Sequence, residues 1–212
     1  MAKQYAHPSG LFGRIVTAML LNRANRQSNN AVYESLEIEK GDCVLEVGFG
    51  GTELLLKIAQ HSQCSEICGV EKSGHMVRRA QSLVQRKSLT SKVKLSVGCI
   101  ESLPYSNSVF DRVCSVNTVY FWSDLDHCAG ELARVTADTG KVVLGYGSGE
   151  KLAQSGYSEN GFRFYPPAII DQVMANAGLN LQHNHKMERL NKDPFFVSVY
   201  GRDEHLQTNG NQ

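Results

Sequence analysis

No stretch of this 212-residue chain approaches the roughly 18 consecutive apolar residues that a membrane span requires. No stable membrane anchor is expected. The N-terminus lacks the apolar core and small-residue cleavage site of a secretory leader, so a cytoplasmic location is expected. No run of like charges occurs. The formal net charge is +1, and no basic stripe of the kind that tracks a nucleic-acid backbone is present, so a nucleic-acid partner is not expected. Internal repeats and low-complexity segments are also absent. The six cysteines, Cys43, Cys64, Cys68, Cys99, Cys114 and Cys128, have no zinc-finger or zinc-ribbon spacing, and His61 beside Cys64 and Cys68 does not supply one. They read as free thiols, mostly buried, and no metal site is expected.

What is present is an ordinary globular composition, 42% hydrophobic and 20% charged, in a chain long enough for one substantial core. A single domain over 1–203 is expected, with an N-terminal helical arm over 1–40 and a polar, flexible tail over 204–212. Leu11, Phe12, Ile15, Val16, Met19 and Leu20 share one helical face in the arm, and a second short helix covers Asn30 to Leu36. From Cys43 onward strands and helices alternate. Strands are expected at Cys43–Val47, Glu66–Val70, Val93–Val97, Phe110–Val116 and, after an Asp138-Thr139-Gly140 turn, Lys141–Tyr146. Helices are expected at Thr52–Gln60, after an N-cap at Ser73, after an N-cap at Ser123, and at Ala168–Ala177. Leu179–His185 and Phe195–Tyr200 are close in sequence, which implies an antiparallel pair. The order predicts an α/β fold whose mostly parallel sheet carries helices on both faces and ends in a hairpin.

Ligands of open α/β sheets bind at the carboxyl ends of the strands. The first such end is Glu46-Val47-Gly48-Phe49-Gly50-Gly51-Thr52, where glycines allow a sharp turn and close ligand approach. A dinucleotide fingerprint would need a third glycine where Glu53 stands, and a carboxylate there repels a pyrophosphate. Glu46, two residues before the first glycine, adds a second acid. Such a turn suits a cationic, phosphate-free ligand, and S-adenosylmethionine has that chemistry. Glu71 ends the second strand, 23 residues after Gly48, where a carboxylate can accept hydrogen bonds from both ribose hydroxyls.

With these residues in hand, the sequence resembles class I S-adenosylmethionine-dependent methyltransferases, with the closest look to the small-molecule branch that includes ubiquinone and menaquinone C-methyltransferases. Four ordered motifs carry the resemblance: Val44–Gly50; Gly69–Ser73 with Met76; Leu103-Pro104 with Phe110-Asp111; and Glu131–Val135 leading to Gly140. The resemblance implies a Rossmann-like seven-stranded sheet whose last strand is antiparallel. It implies that Glu46, Gly48, Phe49 and Gly50 line the methionine half, and that Glu71 and Lys72 lie at the ribose with Met76 near the adenine. Cys99, Ile100 and Glu101 should meet the adenine, although the family usually has an acid where Cys99 stands, and a thiol is a poor acceptor for an amino group. Ile100 backbone or Glu101 is the candidate substitute.

Asn117-Thr118-Val119-Tyr120-Phe121-Trp122 follows the fourth strand, where it should overhang the methyl group. Its aromatics either stack on an acceptor or pack the next helix. The Asn/Asp-Pro-Pro-aromatic motif of amide and nucleobase-amine methyltransferases is not met, because neither proline is present. Methyl transfer is an in-line displacement that needs a base only if the acceptor must lose a proton. Tyr120, His7 and His127 are the base candidates, with Tyr120 and His7 preferred and the N-terminal arm a candidate lid. Tyr157, Phe162, Phe164 and Tyr165 suggest an apolar or aromatic small-molecule acceptor. Three rival readings stay open: a cofactor-binding partner that no longer transfers methyl, a peripheral lipid or quinone methyltransferase using the basic amphipathic arm, and an RNA methyltransferase, which the near-neutral charge disfavours.

Overall fold

The central strands of the parallel sheet form because their apolar runs are buried from both faces. A computed structural model of the chain describes residues 26–148, 163–188 and 193–203. The first predicted helix, His7, Tyr157, Phe162 and the tail lie outside these residues. The described elements are α1 (Arg26–Ser35), β1 (Cys43–Val47), α2 (Glu53–His61), β2 (Glu66–Glu71), α3 (Gly74–Arg86), β3 (Val93–Val97), β4 (Phe110–Val116), a 3₁₀ turn (Val119–Phe121), α4 (Leu125–Val135), β5 (Thr136–Gly147), α5 (Pro167–Asn176), β6 (Asn180–Met187) and β7 (Phe195–Gly201). The seven strands are ordered β3-β2-β1-β4-β5-β7-β6. β1 to β5 run parallel, and β7 runs antiparallel to both of its neighbours. The expected fold class is the observed one.

The sheet separates two apolar layers. Val32, Val44, Leu55, Ile58, Val77, Val143 and Phe195 pack on the side of α1, α2 and α3. Leu45, Val113, Trp122, Leu132, Tyr146 and Met174 pack on the side of α4 and α5. Cys64, Cys68, Cys114 and Cys128 are buried, Cys43 and Cys99 are half-buried, and all six are free. β6 forms one edge and is exposed along most of its length, where His183, His185 and Lys186 keep that edge polar. No described helix is long and apolar enough to cross a membrane.

Three local expectations are corrected. The helix predicted at Asn30–Leu36 runs over Arg26–Ser35, because Arg26 and Asn29 are drawn to Glu53 on α2, a contact that sequence spacing does not show. The N-cap of α4 is Asp124, not Ser123. The Asp124 carboxylate accepts from the backbone N–H of His127 at 3.0 Å, and Ser123 donates to Glu101 instead. β5 begins at Thr136 and includes the predicted turn. Phe110 and Arg112 are two apart on β4, whereas their partners Thr136 and Lys141 are five apart, so three extra residues of β5 bulge outward.

Candidate functional site

The chain builds β1, β2 and β3 outward in one direction, then returns to place β4 on the other side of β1. The ends of β1 and β4 therefore flank the crevice where such sheets bind ligands. The turn after β1 needs glycine at Gly48, which has φ +74° and where a Cβ would lie 2.5 Å from Thr118 Cγ2. Two non-glycine residues also sit in the left-handed region on this edge, Thr52 at φ 67° and Asn117 at φ 56°. For a β-branched threonine that conformation costs of order 1–3 kcal/mol, strain concentrated where a ligand would sit. Phe49 is buried with its ring beside Gly69, so its side chain belongs to the core rather than to the surface of the turn.

Glu46 is not a solvated strand-end charge. It is 3% exposed and its Oε2 has no hydrogen-bond partner. Burial first, and then repulsion from Glu71, raises its carboxyl to about 8 against the opposing hydrogen bond from the Leu55 backbone. Glu71 has a different environment. Its Oε2 accepts from the backbone N–H of Gly50 at 3.1 Å and its Oε1 from that of Ser73 at 3.0 Å. A carboxylate has about four acceptor sites, so lone pairs remain for two hydroxyls. Glu71 thus ties the glycine turn to the start of α3. Ser73 caps α3 by accepting from the Met76 amide at 3.4 Å; Met76 is half-buried and Lys72 is exposed. A buried, unsatisfied acid beside a second acid is what a positively charged nucleoside without phosphate fits.

The segment after β3 shows how Cys99 is used. Cys99 lies close enough to Glu101 to help hold that carboxyl below its ordinary value. Burial works to raise the Glu101 carboxyl, but hydrogen bonds from its own backbone, from the Ser123 hydroxyl and from Cys99 outweigh this and hold it below its ordinary value. Ile100 is buried. His127 is exposed and hydrogen-bonds through Nε2 to the Glu101 carbonyl at 2.8 Å, which makes it a tether for this segment.

Two sequence motifs meet in a clamp. Arg134 reaches both oxygens of Glu131 at 2.6 and 2.8 Å, and donates to the carbonyls of Tyr105 at 2.7 Å and Leu103 at 3.1 Å. Glu131 in turn accepts from the Leu103 N–H at 2.8 Å. The clamp holds the loop that carries Cys99 to Glu101. Arg134→Lys keeps the charge but loses the planar fork. It should weaken cofactor binding by about tenfold, equivalent to roughly 1.4 kcal/mol, as read by calorimetric titration; unchanged affinity would confine the clamp to folding.

At the end of β4, Ser115 Oγ donates to the Val47 carbonyl at 2.7 Å and pairs with Thr118 Oγ1, which also accepts from the Trp122 indole at 3.2 Å. Trp122 is buried in the layer beneath α4, whereas Phe121 is 41% exposed. The two aromatics therefore divide between packing and surface. The Tyr120 hydroxyl accepts from the Gly147 N–H at 2.5 Å and lies 3.2 Å from the Gly147 carbonyl and 3.4 Å from Asn117 Oδ1. Tyr120 thus joins the ends of β4 and β5. Phe164 packs on its ring with centroids 5.6 Å apart, and the Arg163 N–H donates to the Tyr120 carbonyl at 3.0 Å. Sequence reasoning missed Arg163, which also reaches the carbonyls of Trp122 and Ser123, because its partners lie some 40 residues away. Among the described residues no group of three or more His, Cys, Asp or Glu side chains is arranged to hold a metal ion.

The fold and this site define a Rossmann-like nucleoside-binding protein with a crevice suited to a sulfonium cofactor. A family model described as a methyltransferase domain matches residues 45–144. The chain is 27% identical over 130 residues to the uncharacterized methyltransferase YdaC of Bacillus subtilis, covering 61% of this chain and 70% of YdaC. It is 31% identical over 97 residues to ajmaline N-methyltransferase of Rauvolfia serpentina, covering 46% of this chain and 32% of that relative. The fold is shared with geranyl diphosphate methyltransferase in complex with S-adenosylmethionine, at a TM-score of 0.75 and 12% identity, over 94% of each chain. These comparisons support the class I S-adenosylmethionine-dependent methyltransferase reading, with S-adenosylmethionine as the cofactor it implies.

Proposed function

We propose that this methyltransferase acts on a small-molecule acceptor with an apolar or aromatic body, received at the edge formed by the ends of β4 and β5. The observation that carries the reading is the aromatic cluster there, in which Tyr120 packs against Phe121 and Phe164. The likeness to a relative named for ajmaline supports it. When bound, the cofactor supplies an electrophilic methyl group on a sulfonium. The residues of the chain bind, orient and exclude water. Glu46 provides negative charge for the methionine half, Glu71 provides lone pairs for the ribose, and the Cys99–Glu101 segment lies along the adenine. Asn117 and Tyr120 fix the edge across which the acceptor approaches. The arm over 1–40 serves as a lid, with His7 as candidate base. Support for the lid comes from Arg26, within the described part of the arm, which meets Glu53 beside the glycine turn at 3.3 Å.

The test is a screen of small aromatic acceptors with S-adenosylhomocysteine formation as the readout, run on the natural protein and on Tyr120→Phe. The variant leaves the Gly147 N–H without its acceptor, which costs about 1–3 kcal/mol at a buried group. Turnover should fall about tenfold or more while cofactor affinity stays nearly unchanged. Unchanged turnover would remove Tyr120 from the mechanism, and no turnover with any acceptor despite cofactor binding would favour a non-catalytic partner.

A further inference from the structure

Ser148 carries a hydroxyl that the fold does not use. It follows the last residue of β5, is 6% exposed, and its Oγ has no hydrogen-bond partner. Its backbone is well held, since the Ser148 N–H donates to the Pro194 carbonyl at 3.1 Å. The unsatisfied group is therefore not the product of a loosely placed residue. A buried hydroxyl without a partner costs free energy, so the ligand-free protein gains nothing from this one.

Its position follows from strand alternation. Side chains along β5 alternate between the two layers. Val143 packs with the α1–α3 layer, whereas Leu144 and Tyr146 pack with the layer that contains Tyr120 and Trp122. Ser148 lies two residues beyond Tyr146 and next to Gly147, the residue that Tyr120 grips. It thus belongs to the acceptor edge and not to the cofactor turn.

We propose that Ser148 is a specificity-determining residue that hydrogen-bonds a protic group, a hydroxyl or an amine, on the methyl acceptor. The proposal rests on the reading that the β4–β5 edge receives the acceptor. A ring without such a group leaves the buried hydroxyl unsatisfied and binds without the gain that a protic acceptor makes.

The test uses the full chain saturated with S-adenosylhomocysteine. Phenol, aniline and toluene are titrated separately and followed by NMR. Phenol or aniline should bind at least about tenfold more tightly than toluene, and the arm that binds tells hydroxyl from amine. Ser148→Ala should lose that preference, while S-adenosylhomocysteine affinity stays within about twofold and the melting temperature does not fall. Equal binding of toluene, no binding of any ring, an unchanged preference in Ser148→Ala, or a lowered melting temperature would each overturn the proposal. Failure of S-adenosylhomocysteine to bind the natural protein would instead overturn the cofactor-site reading beneath it.

Discussion

Replacing Glu46 with glutamine should make the ligand-free protein more stable near pH 8 and at the same time weaken its hold on the cofactor. The carboxyl is buried, one oxygen lacks a partner, and its folded value of about 8 lies well above the ordinary 4.5. Between those two values the folded chain holds a proton that the unfolded chain has released. Stability therefore falls as pH rises through this window; it is fully present below about 4.5 and is lost through about 8. The loss is on the order of a few kcal/mol, because each tenfold change in proton affinity is worth about 1.4 kcal/mol. Glutamine has no such dependence. The gain in melting temperature should be large at pH 8 and small at pH 5. A cationic ligand reverses the balance, since it favours ionised Glu46. Calorimetry in buffers of different ionisation enthalpy should show proton release on cofactor binding by the natural protein near neutral pH and much less by Glu46→Gln, whose affinity is lower by about tenfold or more. An equal stability difference at both pH values would mean that the group is ionised in the fold.

Glu71→Ala should abolish measurable cofactor binding. The carboxylate proposed to hold the ribose also accepts from Gly50 and Ser73, so its loss would remove the ligand contact and release the turn together. Two charge-assisted hydrogen bonds at about 1.5–3 kcal/mol each are involved, which corresponds to an affinity loss of roughly a hundredfold or more. Glu71→Gln keeps a side-chain acceptor and should retain more binding than alanine. Titration of both variants with S-adenosylmethionine and S-adenosylhomocysteine checks this, and micromolar affinity in Glu71→Ala would remove the residue from the site. The two acids thus differ in kind. Glu46 is held in reserve at a cost to the empty fold, whereas Glu71 is engaged by the backbone before any ligand arrives.

Much of this was legible along the chain because the relevant physics is local. Strands buried on both faces read as short apolar runs, and β1 and β4 begin and end at the expected residues. A sharp turn needs glycine, so Gly48 and Gly50 marked the crevice. The closeness of the last two strands in sequence required them to be antiparallel. The α4 cap was misread by one residue, since Ser123 and Asp124 are both good caps and only the packing of Glu101 against Ser123 decides between them.

By itself the sequence determined the fold class and singled out a candidate nucleoside turn, because apolar period, turn glycines and strand-end carboxylates act over a few residues. Tertiary structure alone decided that Glu46 is buried and unsatisfied, that Phe49 faces the core, that Tyr120 grips Gly147 and that Ser148 is left unpaired. Each of these depends on what another strand or helix, tens of residues away, places against the side chain, and burial and hydrogen-bond satisfaction exist only once those partners have met.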